Sequence, residues 1–316
     1  MQIVIPFQSP ELESQIQQLS PSIELIVLPP NEAIPATVNP EVLLTLGVEE
    51  NQQLAAFLSA KSNDSSALKW LHVLGTGVDY FPFDLVGDRL LTCSRGAHSL
   101  PIAEWVMAMI LTADKNLPAA WVSQPPEQWH SAELAQTSGK TLALLGFGSI
   151  GRLVAERALA FGMQVKVLAR RPRSEWPKGI KAVSDLRALL SDADHIVLAA
   201  PATAATHHII NQASLANCQQ GAHLINVARG SLIDQPALRE ALDNGQLGLA
   251  SLDVVDPEPL PAEHWLYQHE SVRLSPHISW SAPQILQRLA LPFVENIRAY
   301  LDGRPLQGLV DLEQRY

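Results

Sequence analysis

Arg229, Glu258 and His277 are three side chains that together could run hydride chemistry on a carbonyl. A guanidinium holds a carboxylate through two parallel bonds and polarises the carbonyl beside it. An imidazole gives or takes a hydroxyl proton near neutral pH. A carboxylate bonded to the second ring nitrogen would fix the tautomer and favour the protonated ring. Each residue also has an ordinary structural reading. Arg229 would suit a helix-start salt bridge, His277 a satisfied turn after Pro276, and Glu258 a surface position between two prolines. Their placement decides between the two. Apolar runs at 223–226, 248–252 and 272–274 read as strands, and the three residues follow them in turn. Ligands of parallel sheets bind outside such carboxyl ends.

The elements that must position these residues are organised around Thr141-Leu-Ala-Leu-Leu-Gly-Phe-Gly-Ser-Ile-Gly151. The first five residues form a continuous apolar run, as in a buried parallel strand. Gly146, Gly148 and Gly151 follow in G-x-G-x-x-G spacing, and from Ser149 and Ile150 the apolar pattern turns helical. Gly146 allows the tight turn, Gly148 lets a pyrophosphate approach the backbone, and Gly151 lets helix and strand pack closely. The helix start offers unpaired N–H groups and a positive dipole end to phosphates. Strand, glycines and helix in that order predict a dinucleotide site over Gly146, Phe147, Gly148, Ser149, Ile150 and Gly151.

The end of the second strand, 163–169, selects the dinucleotide. A carboxylate there would accept bonds from an adenosine ribose hydroxyl. None is present: Ala169 is followed by Arg170, Arg171 and, past Pro172, Arg173. Guanidinium groups suit a 2′-phosphate. NADP(H) is therefore expected over NAD(H), which remains possible.

At 316 residues the chain is long enough for two domains with substantial cores. A net charge of −10 argues against a nucleic-acid partner and requires positive charge to be concentrated wherever an anion binds. Cys93 and Cys218 have neither disulfide nor metal spacing and read as buried thiols in a reduced compartment. No apolar run reaches membrane-spanning length, and the first residues look like a strand instead of a signal peptide. A soluble, cytoplasmic protein is expected.

Along the chain, strands at 3–5, 25–28, 42–46, 70–74 and 90–93 alternate with helical patterns at 15–19 and 52–60. That alternation predicts a small α/β domain of its own. The loop Gly75-Thr-Gly-Val-Asp79 follows one of these strands, where glycines can expose N–H groups to a carboxylate, although a plain turn reads equally well. A helix is expected over 99–117, with Ser99 as its N-cap and Pro101 in its first turn. Residues 121–138 read as an irregular arm. The strand at 195–199 ends at Ala200-Pro201, and that at 223–226 ends at Val227-Ala228. A last amphipathic helix, 282–301, is expected to pack back on the first domain. His207, His208, His264 and His269 show no metal-ligand pattern and read as solvent-exposed.

The runs Ile225-Asn-Val-Ala-Arg-Gly230, Ser251-Leu-Asp-Val-Val-Asp-Pro-Glu-Pro-Leu260 and Ser275-Pro-His-Ile278 resemble the D-isomer-specific 2-hydroxyacid dehydrogenases. The loop at 75–79 and Ala103-Glu104-Trp105 look like that family too. The likeness covers nearly the whole chain and is weakest over the first 70 residues. It implies a Rossmann-type doubly wound cofactor domain, here 97–280, inserted in a flavodoxin-like α/β substrate domain, 1–96 with 281–316. It implies a homodimer joined through the cofactor domains. It also implies that Arg229 binds a 2-oxo acid, His277 is the acid/base, and Glu258 pairs with His277. The backbone of Gly75, Thr76 and Gly77 would receive the substrate carboxylate, and Asp253 would lie near the nicotinamide. Ala200, Pro201, Val227 and Ala228 would line the cofactor. The missing acid near 169 matches NADP-preferring members such as glyoxylate/hydroxypyruvate reductases. The short stretch after His277 leaves no room for the regulatory domain of many phosphoglycerate dehydrogenases. Formate dehydrogenases of the superfamily have glutamine in the place of Glu258. A dinucleotide-sensing binding protein or corepressor on the same scaffold, or an NAD-linked dehydrogenase of a larger 2-hydroxy acid, is the alternative.

Overall fold

A computed structural model describes residues 1–28, 32, 34–35, 37–46, 52–79, 81–130, 134–170 and 173–316, with 61–66 excepted. The chain divides into two units, residues 1–98 with 282–316, and residues 99–281.

The first unit is built on β1 (Gln2–Ile5), α1 (Pro10–Gln17), β2 (Glu24–Val27), β3 (Val42–Thr45), α2 (Gln52–Ala60), β4 (Trp70–Val73) and β5 (Leu90–Cys93). Its five strands are all parallel, in the order β2-β1-β3-β4-β5. That is the flavodoxin-like order. β3 and β4 are buried at every position, which is why they read as unbroken apolar runs. α1 starts where Ser9 accepts a bond from the Leu12 N–H at 3.4 Å, with Pro10 at its first position.

The second unit comprises α3 (Ser99–Asp114), β6 (Thr141–Leu145), α4 (Ser149–Ala160), β7 (Gln164–Leu168), β8 (Ile180–Ala182), α5 (Leu186–Leu190), β9 (His195–Leu198), α6 (Gln212–Leu215), β10 (Ala222–Asn226), α7 (Gln235–Asp243), β11 (Leu247–Leu252) and β12 (Val272–Leu274). The parallel sheet runs β12-β11-β10-β9-β6-β7-β8, so the strand order reverses between β6 and β9. Ligands of open sheets bind at such a reversal. α3 and α4 pack with Leu142, Leu144, Val165, Val197 and Ile225 on one face, and α5 to α7 cover the other. The final helix, α8 (Ile285–Leu301), belongs to the first unit, where Leu289, Phe293 and Ile297 pack with Trp70, Leu44 and Ile16.

Several boundaries differ from the sequence reading. α3 stops at Asp114, not 117: Asn116 is left-handed (φ 49°) and Pro118 cannot continue a helix. Ser99 lies inside that helix instead of capping it, and its hydroxyl donates to Ser149 Oγ at 2.8 Å. α8 begins at Ile285 because Gln284 is left-handed (φ 60°). β8, three residues at the sheet edge, carries no apolar run and was not foreseen. Among the described residues, 115–138 hold no helix or strand. No helix among the described residues is long and apolar enough to cross a membrane.

Candidate active site

His277 sits three residues beyond β12 in a backbone conformation (φ 53°) that L-residues seldom adopt. Several bonds hold it there. Its own N–H donates to Asp253 O at 2.9 Å, and its carbonyl accepts from Trp280 Nε1 at 2.7 Å. Asp253 is fully buried at the end of β11, and its carboxylate gathers the same turn. Oδ1 accepts from Ser275 Oγ at 2.6 Å and from the Ile278 N–H at 2.9 Å; Oδ2 accepts from the Ser279 N–H at 3.0 Å. The carboxylate expected beside a nicotinamide is thus committed to the loop that carries the imidazole.

Glu258 and His277 come together. His277 Nδ1 lies 2.8 Å from Glu258 Oε2, and Glu258 Oε1 accepts from the Val255 N–H at 2.9 Å. A carboxylate can only accept here, so Nδ1 carries a proton and Nε2 is left as the nitrogen that exchanges one with a ligand. The side chains of the pair are 44% and 33% exposed, leaving the imidazole open to a ligand.

Arg229 follows β10 on a turn that Asn226 organises. Asn226 Nδ2 donates to Arg229 O at 2.9 Å, and Asn226 Oδ1 accepts from the Ala228 N–H at 3.0 Å. Gly230 then packs so tightly on the next loop that a Cβ there would overlap Val255 C and O and Asp256 N. Gln235 Nε2 donates to Asp256 O across the same junction. The Arg229 turn is therefore seated directly on the backbone that supplies Glu258 with its donor. Sequence reasoning missed Asn226 and Gly230, although both stand in the run that drew attention to Arg229.

The glycine turn lies at the strand reversal. Gly146 (φ 101°) packs on the chain leaving β9, where a Cβ would stand 2.6 Å from Ala199 O. Gly148 is the extended N-cap of α4, and a Cβ there would meet nothing within 4 Å. That open position above a helix start, with Ser149, Ile150 and Gly151 opening the helix, fits a phosphate. Phe147 is buried, and its carbonyl accepts from Arg173 Nη2 at 3.3 Å. The Arg173 guanidinium lies 5.0 Å from the Phe147 ring centroid and 5.7 Å from that of Trp176. The Arg173 guanidinium is thus tied to the turn. Arg170 is exposed at the end of β7, and Arg171 lies outside the described residues. Ala200, Val227 and Ala228 are buried at the ends of β9 and β10, and Pro201 is exposed, its carbonyl accepting from Thr206 Oγ1 at 2.7 Å.

In the first unit, Gly75, Thr76 and Gly77 follow β4 after a single residue, Leu74. Gly75 O accepts from the Ser94 N–H at 2.8 Å, and Thr76 Oγ1 lies 3.4 Å from His98 Nδ1.

Three histidines outside the site are buried, a feature no sequence pattern announced: His72, His195 and His223. His195 and His223 face each other at 3.1 Å between Nδ1 atoms, with Ser251 Oγ at 2.9 Å from His223 Nε2 and Asp114 Oδ1 at 3.3 Å from His195 Nε2. Burial, then the charges of His195 and Arg273, push His223 well below the usual histidine range. His207 and His208 are exposed as expected, with rings stacked at 4.0 Å. His264 and His269 depart from expectation. Both are half-buried; His264 Nδ1 accepts from the Leu266 N–H and His269 Nε2 lies 3.2 Å from Asp243. Both cysteines are buried, and burial pushes the Cys218 thiol up to about 11. Among the described residues no group of three or more His, Cys, Asp or Glu could hold a metal ion.

Comparison with known proteins identifies the relatives of this chain. The family model for the D-isomer specific 2-hydroxyacid dehydrogenase NAD binding domain matches residues 107–279. A hydroxypyruvate reductase of Thermotoga maritima is 38% identical over 237 residues, covering 73% of this chain and 76% of that one. A D-3-phosphoglycerate dehydrogenase of Bacillus subtilis is 32% identical over 256 residues, covering 79% of this chain and 48%, about half, of that one. A solved D-isomer specific 2-hydroxyacid dehydrogenase from Xanthobacter autotrophicus, in complex with NADPH and MES, aligns with a TM-score of 0.81 and 26% identity. It covers 100% of this chain and 99% of that one.

Proposed function

The chain belongs to the D-isomer-specific 2-hydroxyacid dehydrogenase family, and on that premise we propose that it reduces a small 2-oxo acid, of the glyoxylate or hydroxypyruvate kind, to the D-2-hydroxy acid with NADPH preferred. The observation that carries the reading is the 2.8 Å pair of His277 Nδ1 and Glu258 Oε2, with the Arg229 turn seated on the same loop. A nicotinamide cofactor, when bound, would supply the hydride for the ketone carbon. His277, oriented by Glu258, delivers its Nε2 proton to the ketone oxygen, and Arg229 draws the carboxylate in and offsets the developing negative charge. Backbone N–H groups of Gly75, Thr76 and Gly77 receive the substrate carboxylate. The start of α4 would hold the pyrophosphate, and Ala200, Pro201, Val227 and Ala228 would line the cofactor. Asp253 serves the same end of the cofactor by fixing the His277 turn.

Support for NADP(H) comes from the missing carboxylate at Ala169 and from Arg173, anchored on the Phe147 carbonyl, with Arg170 and Arg171 beside it in sequence. Support for a homodimer comes from apolar surface on the arm, where Trp121 and Trp129 are each 71% exposed.

The experiment is a set of initial rates of NADPH and NADH oxidation with glyoxylate, hydroxypyruvate, pyruvate and phenylpyruvate. Faster turnover with NADPH and a two- or three-carbon acid is the expected result. A preference for NADH overturns the cofactor assignment alone. Tight NADPH binding with no turnover of any acid overturns the enzyme and favours a dinucleotide-sensing protein.

A further inference from the structure

His72 is the penultimate residue of β4, three residues before Gly75, and it is fully buried. Its ring is the middle of an ordered chain of hydrogen bonds whose directions the geometry settles. Trp70 Nε1 donates to Thr92 Oγ1 at 2.7 Å. Thr92 Oγ1 stands 2.7 Å from His72 Nδ1 and 3.5 Å from Leu71 O, so its own proton goes to the ring nitrogen. His72 Nε2 lies 3.1 Å from Ser94 Oγ, whose proton is already given to Leu289 O at 2.7 Å. The ring must then donate from Nε2 and accept at Nδ1, the neutral tautomer. Burial pushes His72 down to about 3, which keeps that tautomer throughout the physiological range.

This chain ends on a backbone carbonyl of α8. Leu289 lies in α8 three residues before Pro292, which sits inside the helix and supplies no N–H to the turn below it. The carbonyl that loses its helical donor is that of Arg288, and the Ser94 hydroxyl bonds the neighbouring one, Leu289 O, in the same turn. The backbone of the same serine reaches the loop after β4, where the Ser94 N–H donates to Gly75 O at 2.8 Å. Cys93 Sγ, one residue earlier, stands 3.9 Å from Thr76 O. One serine thus ties the Gly75–Gly77 loop by its backbone N–H and α8 by its side chain, and His72 fixes the rotamer of the hydroxyl that makes the bond to α8 and so anchors the serine behind the loop.

We propose that Ser94, oriented by His72, is a positioning residue that holds the Gly75–Gly77 loop in register for the substrate carboxylate. This rests on the assignment of that loop to substrate binding made above. None of the relay residues need touch the substrate. The loop's glycines have no side chains to brace them, and the Ser94 bridge gives the loop its rigidity from behind.

The test uses the full-length protein with Ser94→Ala, Ser94→Thr and, as an isosteric fallback should the alanine variant not accumulate folded, Ser94→Cys. The best 2-oxo acid of the rate series and NADPH are the probes. Loss of one buried hydrogen bond is worth up to about a tenfold change, so the KM for the acid should rise by about tenfold in Ser94→Ala. The kcat and the KM for NADPH should stay unchanged within about twofold, and Ser94→Thr, which keeps the hydroxyl, should restore the acid KM. Hydrogen exchange over residues 74–79 should quicken in Ser94→Ala and recover in Ser94→Thr. An unchanged acid KM overturns the proposal, and so does a rise in both Michaelis constants together with faster exchange throughout the unit. If the wild type reduces no acid, the functional reading itself has failed, and the proposal falls with it for a reason visible before any variant is made.

Discussion

Acidification should loosen both units through the same kind of group, a histidine buried neutral. His72 in the first unit is pushed down to about 3 by burial, and His223 in the second is held well below its usual range, chiefly by burial and then by His195 and Arg273. In an unfolded chain both would titrate near 6.5. Below that pH the unfolded state binds a proton that the folded state does not, so stability falls as pH falls, at up to about 1.4 kcal/mol per pH unit for each ring. Between pH 7 and pH 5 the loss is therefore about 2 kcal/mol for each unit, against a typical reserve of about 5–15 kcal/mol. The decline continues until the folded-state value is reached, near 3 for His72. Asp114 is silent in this window. Burial would raise its carboxyl, but His195, Lys140 and Thr137 together hold it below the usual range. Its stabilising contribution is present above about 4 and is lost only as the pH drops further. The assay is native-state hydrogen exchange, corrected for intrinsic pH dependence and read separately over β3–β5 and β9–β11. His72→Leu removes one titrating ring. It should cost about 1–3 kcal/mol at pH 7, because Ser94 and Thr92 lose a partner, yet flatten the pH dependence of the first unit alone. A His72→Leu protein whose first unit still loses about 2 kcal/mol between pH 7 and 5 would refute the reasoning.

Five substitutions test the site. Arg229→Ala and His277→Ala should each lower kcat/KM by roughly a hundred- to ten-thousandfold in steady-state assays, and near-normal turnover by either would remove that residue from the chemistry. Glu258→Gln keeps a group that can accept from the Val255 N–H but loses the charge facing His277, so kcat/KM should fall by about ten- to a hundredfold with little change in the KM for NADPH. Arg173→Ala should raise the KM for NADPH by about tenfold and leave that for NADH nearly unchanged; equal changes for both would reassign the residue to supporting the glycine turn. Gly230→Ala drives a methyl group into the Val255 backbone, and a thermal melt should show a loss of more than about 2 kcal/mol alongside lost activity.

Much of this architecture was legible in the sequence because its signals are local. Parallel strands buried on both faces, such as β4, β6 and β9, read as apolar runs, and the glycine spacing marks the turn between β6 and α4. Arg229, Glu258 and His277 stood out because strand ends can be read along the chain. The contacts that hold them in place are not local. Asp253 looks like a free strand-end carboxylate until its bonds to residues 275–279 are seen, and nothing in the chain says that Gly230 must clear the backbone of Val255. The buried histidines were hidden for the same reason. A single imidazole among apolar residues has no period of its own, and its partners come from other strands: Thr92 and Ser94 for His72, Ser251 and His195 for His223. Arg173 was visible only as one of three arginines, and the ring pair of Phe147 and Trp176 distinguishes it. Residue type and order along the chain thus identify the groups able to react. Which polar groups are committed to one another, and so which remain for a ligand, is a property of the packed sheet. That division explains why Glu258 and Asp253, five residues apart, take opposite roles: one carboxylate faces an exposed imidazole, and the other is spent holding that imidazole's backbone.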